Sequence, residues 1–161
     1  MSAVSASDDD LRHAPPLGFV PFRIGNGQDF LTLTGPFHVR IKDGHLSLGF
    51  RIEPKHCNIA GVCHGGMLLT FADIQMAIAA KHQGGLSGFQ PTVGLAADFL
   101  GGAPRGAWLA GRTDIVKVTE GFVFTQCLIT ADQAPVLRAS GSFKMAKATP
   151  ELEAAMRLRL D

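Results

Sequence analysis

The sequence lacks several features that would assign it to a well-marked class of protein. Its 161 residues include no tyrosine, one tryptophan and three cysteines. An odd cysteine count does not suit a disulfide framework, so we interpret the cysteines as thiols in a reducing compartment. The net charge of +1 gives no electrostatic footprint for nucleic acid. No apolar run approaches the roughly 20 residues of a membrane-spanning helix, so function has to be sought in motifs.

The two ends of the sequence differ from its middle. Residues 1–16 are small, acidic and end in two prolines, without the basic and apolar segments of a signal peptide. We therefore expect a disordered tail on a cytoplasmic protein. Residues 149–161 are predicted to form a short C-terminal helix, because Pro150 opens it, glutamates occupy its first turn and arginines its last. One domain is expected between them, over residues 17–148.

The middle of the chain alternates between strand and helix patterns. A hairpin is predicted around Asp43-Gly44, and residues 66–82 are apolar on nearly every side, which is typical of a buried helix. Four later segments have strand character, and their short connections predict an antiparallel meander. These segments are residues 92–100, 107–118, 121–130 and 134–145. The predicted fold class is α+β, with one long buried helix wrapped by a curved antiparallel sheet.

The sequence His64-Gly65-Gly66 stands where a loop meets the predicted helix. The first backbone amides of a helix have no acceptor within it, and with the helix dipole they can stabilise an anion or a developing oxyanion. Glycine there lets a ligand approach the backbone closely. Glycines at a helix start can also serve packing alone, and the pair by itself favours that interpretation.

Asp73 lies about two turns inside the same predicted helix, among apolar neighbours. Burying a carboxylate costs free energy unless the group is paired or used. A solvated polar stripe shared with Thr70 and Gln75 is one explanation. We favour the other, in which a carboxylate in a cleft acts as general base or nucleophile.

These residues, in their spacing, resemble a known family. Asn58, His64-Gly65-Gly66, Asp73, Thr92-Val93 and residues 99–104 resemble the hotdog-fold acyl-CoA thioesterases of the PaaI-like (phenylacetic acid degradation) group. The likeness covers roughly residues 37–145. It implies a hotdog fold and hydrolysis of an acyl-CoA thioester to free acid and CoA, without a metal or organic cofactor. It also implies homodimers, often paired into tetramers, with sites at the dimer interface.

The resemblance implies a role for each matching residue. Asp73 matches the acidic residue that activates water or attacks directly, and Gly65 matches the glycine whose N–H polarises the thioester carbonyl. Asn58 matches a residue that helps to hold the carbonyl or the water, and Thr92 one that orients the water. His64 matches a histidine that mostly shapes the turn.

The substrate contacts are less marked in the sequence. Gly66, Phe71 and Phe99 are candidate substrate-binding residues, although a phenylalanine can equally belong to the core. The acyl group cannot be read from them. Lys117 is the one basic residue in a turn that often binds the coenzyme A phosphates, and three arginines are alternatives. These are Arg105, Arg112 and Arg138.

The spacing of Gly65 and Asp73 has a consequence for assembly. Eight residues of one helix separate them by about 12 Å along its axis. A base and an oxyanion donor must both come within about 3 Å of the reacting groups. We therefore expect each site to take Asn58 and Gly65 from one subunit, and Asp73 and Thr92 from another.

Three other interpretations remain open from the sequence. His56-Cys57 and Cys63-His64 contain zinc-ligand types, although adjacent pairs do not have the usual ligand spacing. Cys63 or Cys57 could act as nucleophile with His64, although Cys63 is adjacent to the histidine, which gives poor geometry for a hydrogen bond between them. A non-catalytic acyl-CoA-binding or structural hotdog protein is the main alternative, against which the presence of Asp73 argues.

Overall fold

A computed structural model describes residues 14–24, 27–157 and 159–160. Most of the predicted tail, residues 1–13, lies outside the described residues. The described strands and helices follow in chain order. They are β1 (Val20–Arg23), α1 (Phe30–Thr34), β2 (His38–Lys42), β3 (His45–Arg51), α2 (Gly65–Gln83), β4 (Thr92–Phe99), β5 (Trp108–Val118), β6 (Phe122–Ala131), β7 (Ala134–Lys144), α3 (Pro150–Ala155) and β8 (Arg159–Leu160).

The strands form one eight-stranded sheet in the order β4-β7-β6-β5-β3-β2-β1-β8, and neighbouring strands pair antiparallel. The long helix α2 packs against β3, β5, β6 and β7. This confirms the predicted α+β architecture of one buried helix wrapped by an antiparallel sheet. No helix in the described part of the chain is both long and apolar enough to cross a membrane.

Helix α2 is anchored to the sheet by a buried polar side chain. Gln75 is fully buried, and its Oε1 accepts the Leu48 N–H at 2.7 Å. Its Nε2 donates to the Leu46 carbonyl at 3.2 Å and to Thr113 Oγ1 at 3.0 Å. All three bonds reach strands β3 and β5, so the burial of this amide is fully compensated. Gln75 is therefore not part of a solvated polar stripe. This weakens the explanation of Asp73 as a member of such a stripe with Thr70 and Gln75.

The predicted meander is correct for β5, β6 and β7 but wrong for β4. Strand β4 pairs with β7, and β5 pairs instead with β3 of the hairpin. The segment between β4 and β5 is no hairpin turn, because it finds partners elsewhere: the Leu100 N–H donates to the Val136 carbonyl and the Ala103 carbonyl accepts the Cys63 N–H. The short connection between β4 and β5 predicted that these strands would be neighbours. The long-range hydrogen bonds of this segment prevent that pairing. Strand β4 consequently lies at one edge of the described sheet.

Both ends of the domain carry structure that the sequence did not predict. Residues 17–36 contain strand β1 and helix α1, whose N-cap Asp29 accepts the Thr32 N–H at 3.0 Å. The predicted C-terminal helix over residues 149–161 is too long, because α3 ends at Ala155 and the two residues of β8 pair with β1. A short segment follows its pairing partner more than its intrinsic propensity, and here the free edge of β1 decides.

Candidate active site

At the start of α2, the backbone N–H groups of Gly65 and Gly66 differ in their hydrogen bonding. His64 is the N-cap, and its Nδ1 accepts the Gly66 N–H at 2.9 Å, so the neutral imidazole carries its proton on Nε2. The Gly66 amide is thereby used within the helix start. Among the described residues, the Gly65 N–H has no acceptor. The positive end of the helix thus presents Gly65 as its available backbone donor.

The Phe99 ring packs against Gly65. A Cβ at Gly65 would come within 3.2 Å of Phe99 Cε1, which is closer than such contacts normally are. The ring is 54 % exposed, so Phe99 is available to a ligand beside Gly65. Phe71 is not, because it has no exposed surface and packs between Phe37 and Phe50 in the core. Of the two phenylalanines predicted to bind substrate, only Phe99 is exposed to a ligand.

Asn58 shapes the loop that precedes α2. Its Oδ1 accepts the Ala60 N–H at 2.9 Å and the Val62 N–H at 3.4 Å, and its backbone N–H donates to the Val62 carbonyl at 2.9 Å. These bonds close a tight turn with the side-chain carbonyl. The Nδ2 group has no acceptor within the described part of the chain, and it remains a donor near the helix start.

Asp73 and Thr92 form a second cluster, on the other side of α2. Thr92 opens β4, and its hydroxyl donates to Asp73 Oδ1 at 2.7 Å. Asp73 is half-buried. Within the described residues its Oδ2 has no hydrogen-bond partner. The bond holds the carboxylate in one orientation and leaves one oxygen free to accept a proton.

Asp73 and Thr92 stand at the wall of an apolar cleft of about 540 Å³. The cleft follows the C-terminal half of α2 and ends against α3. Its aliphatic lining includes Leu31, Leu46, Ile74, Ile78, Leu86 and Met156. A volume of this size lies within the range of small-molecule sites, and the lining favours a hydrocarbon group.

The five predicted catalytic residues therefore fall into two clusters. His64 and Gly65 begin α2 and Asn58 lies in the loop that leads into it, whereas Asp73 and Thr92 meet two turns later. The eight residues from Gly65 to Asp73 correspond to about 12 Å along one helix. A single copy of the chain does not bring the oxyanion donor to the carboxylate.

Comparison with known proteins decides the family. The model of the thioesterase superfamily matches residues 60–137. A putative esterase of Pseudomonas aeruginosa is 35 % identical over 132 residues, which cover 81 % of this chain and 96 % of that protein. The chain belongs to the thioesterase superfamily.

Solved structures support the fold of this thioesterase-superfamily chain. The PaaI protein of the Escherichia coli phenylacetic acid degradation operon has a TM-score of 0.66 at 18 % identity, over 76 % of this chain and 88 % of that one. A hypothetical thioesterase of Streptococcus pneumoniae, solved with coenzyme A, has a TM-score of 0.62 at 18 % identity, over 70 % and 91 %. The predicted hotdog fold and the PaaI-like resemblance are confirmed, and membership supports hydrolysis of thioesters in general.

The zinc interpretation does not fit the thioesterase-superfamily chain. His56 is buried, its Nδ1 accepts the Glu53 N–H at 3.0 Å, and its Nε2 donates to the Thr34 carbonyl at 2.9 Å. Both ring nitrogens are therefore occupied. In the part of the chain that the structure describes, no group of three histidine, cysteine, aspartate or glutamate side chains could hold a metal ion.

The cysteine interpretation is also disfavoured. Cys63 is buried, and burial, reinforced by the neighbouring Cys57, raises the pKa of its thiol to about 12. The nucleophilic form of cysteine is the thiolate, which Cys63 does not form near neutral pH.

Of the candidate arginines, one lies near the helix start. Arg112 pairs with Asp114 at 3.5 Å and Arg138 with Asp98 at 2.8 Å. Arg105 is exposed, and its side chain has no hydrogen-bond or ion-pair partner among the described residues. Its backbone N–H donates to the Gly61 carbonyl at 3.3 Å. Arg105 thus stands beside the loop that Asn58 shapes.

Proposed function

We propose that the chain hydrolyses an acyl-CoA thioester to the free acid and CoA, in a site shared by two copies of the chain. The observation that carries this is the pairing of Asp73 with Thr92 at 2.7 Å, at the wall of an apolar cleft. A half-buried carboxylate beside a hydrocarbon-sized cleft suits hydrolysis of a thioester with an apolar acyl group. A protein that only binds or packs would not need this carboxylate.

The chemistry divides between the two clusters. The Gly65 N–H stabilises the oxyanion that forms when the thioester carbonyl is attacked, and the Asn58 amide donates nearby. Thr92 holds Oδ1 of Asp73, so that Oδ2 takes the proton from an attacking water or attacks the carbonyl carbon itself. When water attacks, collapse of the tetrahedral intermediate breaks the C–S bond, and the CoA sulfur leaves with the proton that Asp73 took. When Asp73 attacks, the CoA thiolate leaves an acyl–Asp73 anhydride, which a water then hydrolyses to the free acid.

The two clusters need a second copy of the chain to meet. About 12 Å separates Gly65 from Asp73 on one helix, whereas both must act on the same carbonyl. The edge strand β4 supports such an assembly, because it starts with Thr92 and carries the exposed apolar side chains of Val93 and Phe99. An exposed apolar edge strand is a typical surface for pairing with another chain.

Coenzyme A recognition follows from the same placement. The hypothetical thioesterase of Streptococcus pneumoniae was solved with coenzyme A, and its fold is shared here. Arg105 lies beside the Asn58 loop, on the side of Gly65. We assign the CoA phosphates to the side of Arg105 and the acyl group to the cleft beside Asp73, with the thioester between them.

Subunit mixing tests the shared site. Homodimers of Asn58→Ala and of Asp73→Asn should each release little thiol from an acyl-CoA panel. After co-refolding of equal amounts, half of the dimers are mixed and each carries one intact site, so about a quarter of the wild-type activity should return. The matched control mixes Asp73→Asn with Asp73→Ala, which damages the same half of every site and should recover nothing.

The outcomes separate the proposal from its alternative. No recovery from the first pair, with mixed dimers proven by mass spectrometry, would place the whole site within one chain. Wild-type protein that binds acyl-CoA in calorimetry but releases no thiol from any member of the panel would favour a non-catalytic acyl-CoA-binding protein.

A further inference from the structure

The cleft beside Asp73 is closed at its far end by the C-terminal segment. Met156, the residue that follows α3, lines the same cleft as Asp73 and Ile78. Leu31 of α1 lines it from the N-terminal side. The described family match ends at residue 137, so Met156 and Leu31 are contributed by parts of this chain outside that match.

Helix α3 is fastened to the end of α2 by a polar clamp, which we define as Lys81, Gly88 and Glu153. Glu153 Oε1 accepts the Gly88 N–H at 2.8 Å, and Glu153 Oε2 lies 3.8 Å from Lys81 Nζ. Lys81 Nζ also donates to the Gly88 carbonyl. The N–H and the carbonyl of Gly88 are therefore both hydrogen-bonded by the Lys81–Glu153 ion pair, which joins α2 to α3.

Gly88, at the centre of the clamp, has no space for a side chain. Gly88 is buried with φ at +74°, and a Cβ there would meet the Ala146 carbonyl oxygen at 2.2 Å. A side chain at this position would therefore displace the loop on which α3 is held. The clamp therefore holds α3, and Met156 after it, against the end of α2.

The length of the cleft between Asp73 and the clamp can be expressed as the length of an acyl chain. Lys81 lies eight residues beyond Asp73 on α2, which corresponds to about 12 Å along the helix axis. Single bonds in an extended chain advance about 1.25 Å each, so about ten of them span this distance. Lys81 and Glu153 line the cleft together with Met156, the residue after α3, so the cleft extends along α2 from Asp73 to the clamp.

We propose that Met156, held by the clamp, is the floor of the acyl pocket and sets the length of the acyl chain, favouring straight apolar chains of about eight to ten carbons. The inference rests on the proposed function, since it takes the thioester carbonyl to lie near Asp73. Met156 contacts the far end of the acyl group and not the reacting atoms, so it is a specificity-determining residue.

Two substitutions at one position and one control test the floor. Met156→Trp should shorten the pocket and lower kcat/KM for decanoyl-CoA by about tenfold or more, with little change for butanoyl-CoA. Met156→Ala should move the preferred chain length upward. The control Leu152→Trp adds the same bulk to an exposed position of α3 outside the cleft, and should keep the wild-type profile.

The clamp has its own variant. Glu153→Ala removes the acceptor for Gly88 and the partner of Lys81, and should broaden the chain-length profile by loosening the floor. Glu153→Gln keeps an acceptor oxygen for Gly88, so it should lie between wild type and Glu153→Ala. Thermal unfolding by circular dichroism checks that each variant folds, and Met156→Ala remains informative if Met156→Trp does not.

A readout apart from catalysis separates this inference from the proposed function. Calorimetry with the free fatty acids should give tighter binding of decanoate than of butanoate, and Met156→Trp should remove that difference. Hydrolysis with a profile that neither Met156 variant moves would overturn the inference and leave the proposed function standing. Length-dependent fatty-acid binding that Met156 controls, without any thiol release, would support the pocket and overturn the proposed function.

Discussion

The start and the middle of helix α2 present opposite kinds of chemistry. At its start the functional group is a backbone amide, that of Gly65, which a loop and the His64 cap leave without an acceptor among the described residues. Two turns later the functional group is a side chain, the Asp73 carboxylate, set beside a hydrocarbon-lined cleft. In the proposed site, the start of α2 stabilises negative charge and the middle carries it.

The difference explains why one helix holds both groups and yet keeps them apart. A carboxylate adjacent to the Gly65 amide would occupy the donor itself, because an anion at a helix start is stabilised by the same dipole. A separation of about 12 Å leaves the amide free in each chain. In the proposed site, a second chain then supplies the carboxylate. The predictions below act on the start or on the middle of α2, one at a time.

The largest effect is expected at the carboxylate. Asp73→Asn keeps the shape of the side chain and an acceptor for Thr92, but it removes the base, so kcat should fall by a factor of about one hundred or more. Circular dichroism should remain that of the wild type. Asp114→Asn, at an exposed carboxylate paired with Arg112, is the matched control and should leave kcat unchanged. Normal turnover by folded Asp73→Asn would reject the mechanism.

A smaller effect is expected at the residue that orients the carboxylate. Thr92→Ala removes one hydrogen bond to a charged group, and kcat should fall by about tenfold. Thr92→Ser keeps the hydroxyl and should retain most of the activity. Steady-state kinetics on one acyl-CoA measures both, and equal activity of the alanine and serine variants would show that the hydroxyl is not what matters.

The sequence predicts the parts of this comparison that depend on local pattern. Residues 66–82 were predicted as a buried helix, and α2 runs over Gly65–Gln83. The Asp43-Gly44 hairpin is present with positive φ at both residues, as its turn requires. The proposed catalytic role of Asp73 also rests on a pattern, since a carboxylate stands among apolar neighbours.

What the sequence does not predict depends on distant partners. The cleft joins Leu31, Asp73 and Met156, which no local period connects. Strand β4 leaves its sequence neighbour β5 for β7, because bonds of the intervening segment reach β7 and the loop before α2. Glycine and aspartate in the sequence mark local turns. The contacts of β4 and of the cleft form only between segments that the folded sheet brings together.

At the start of α2 the expected effect is on stability. His64→Ala removes the N-cap acceptor of the Gly66 N–H and should lower the free energy of unfolding by about 1 kcal/mol. Asparagine is a good N-cap, so His64→Asn should restore most of this loss. Urea unfolding measures both variants. A large loss of turnover in His64→Asn, with stability restored, would instead give the imidazole a role in the reaction.

The smallest effect concerns pH and the loop that carries the Gly65 end. Burial lowers the pKa of His56, whose Nδ1 accepts the Glu53 N–H and whose Nε2 donates to the Thr34 carbonyl; burial also lowers the pKa of His38. The folded chain therefore holds both imidazoles neutral, whereas the unfolded chain takes up protons near the ordinary value of about 6.5. Stability should be complete above that pH and decline as the pH falls below it.

The free energy of unfolding from urea titrations at pH 8, 6.5 and 5.5 tests this pH dependence. His56→Gln should lower stability at every pH, because a buried bonded group is replaced, but its decline on acidification should be shallower than that of the wild type. His45→Gln, at an exposed position, should keep the wild-type slope. If acidification from pH 8 to 5.5 stabilises the wild type, or if His56→Gln keeps the full slope, the buried neutral imidazole does not couple this loop to pH. The start of α2 would then be as insensitive to acid as the aliphatic wall beside Asp73, and the two clusters on α2 would differ in their proposed chemistry alone.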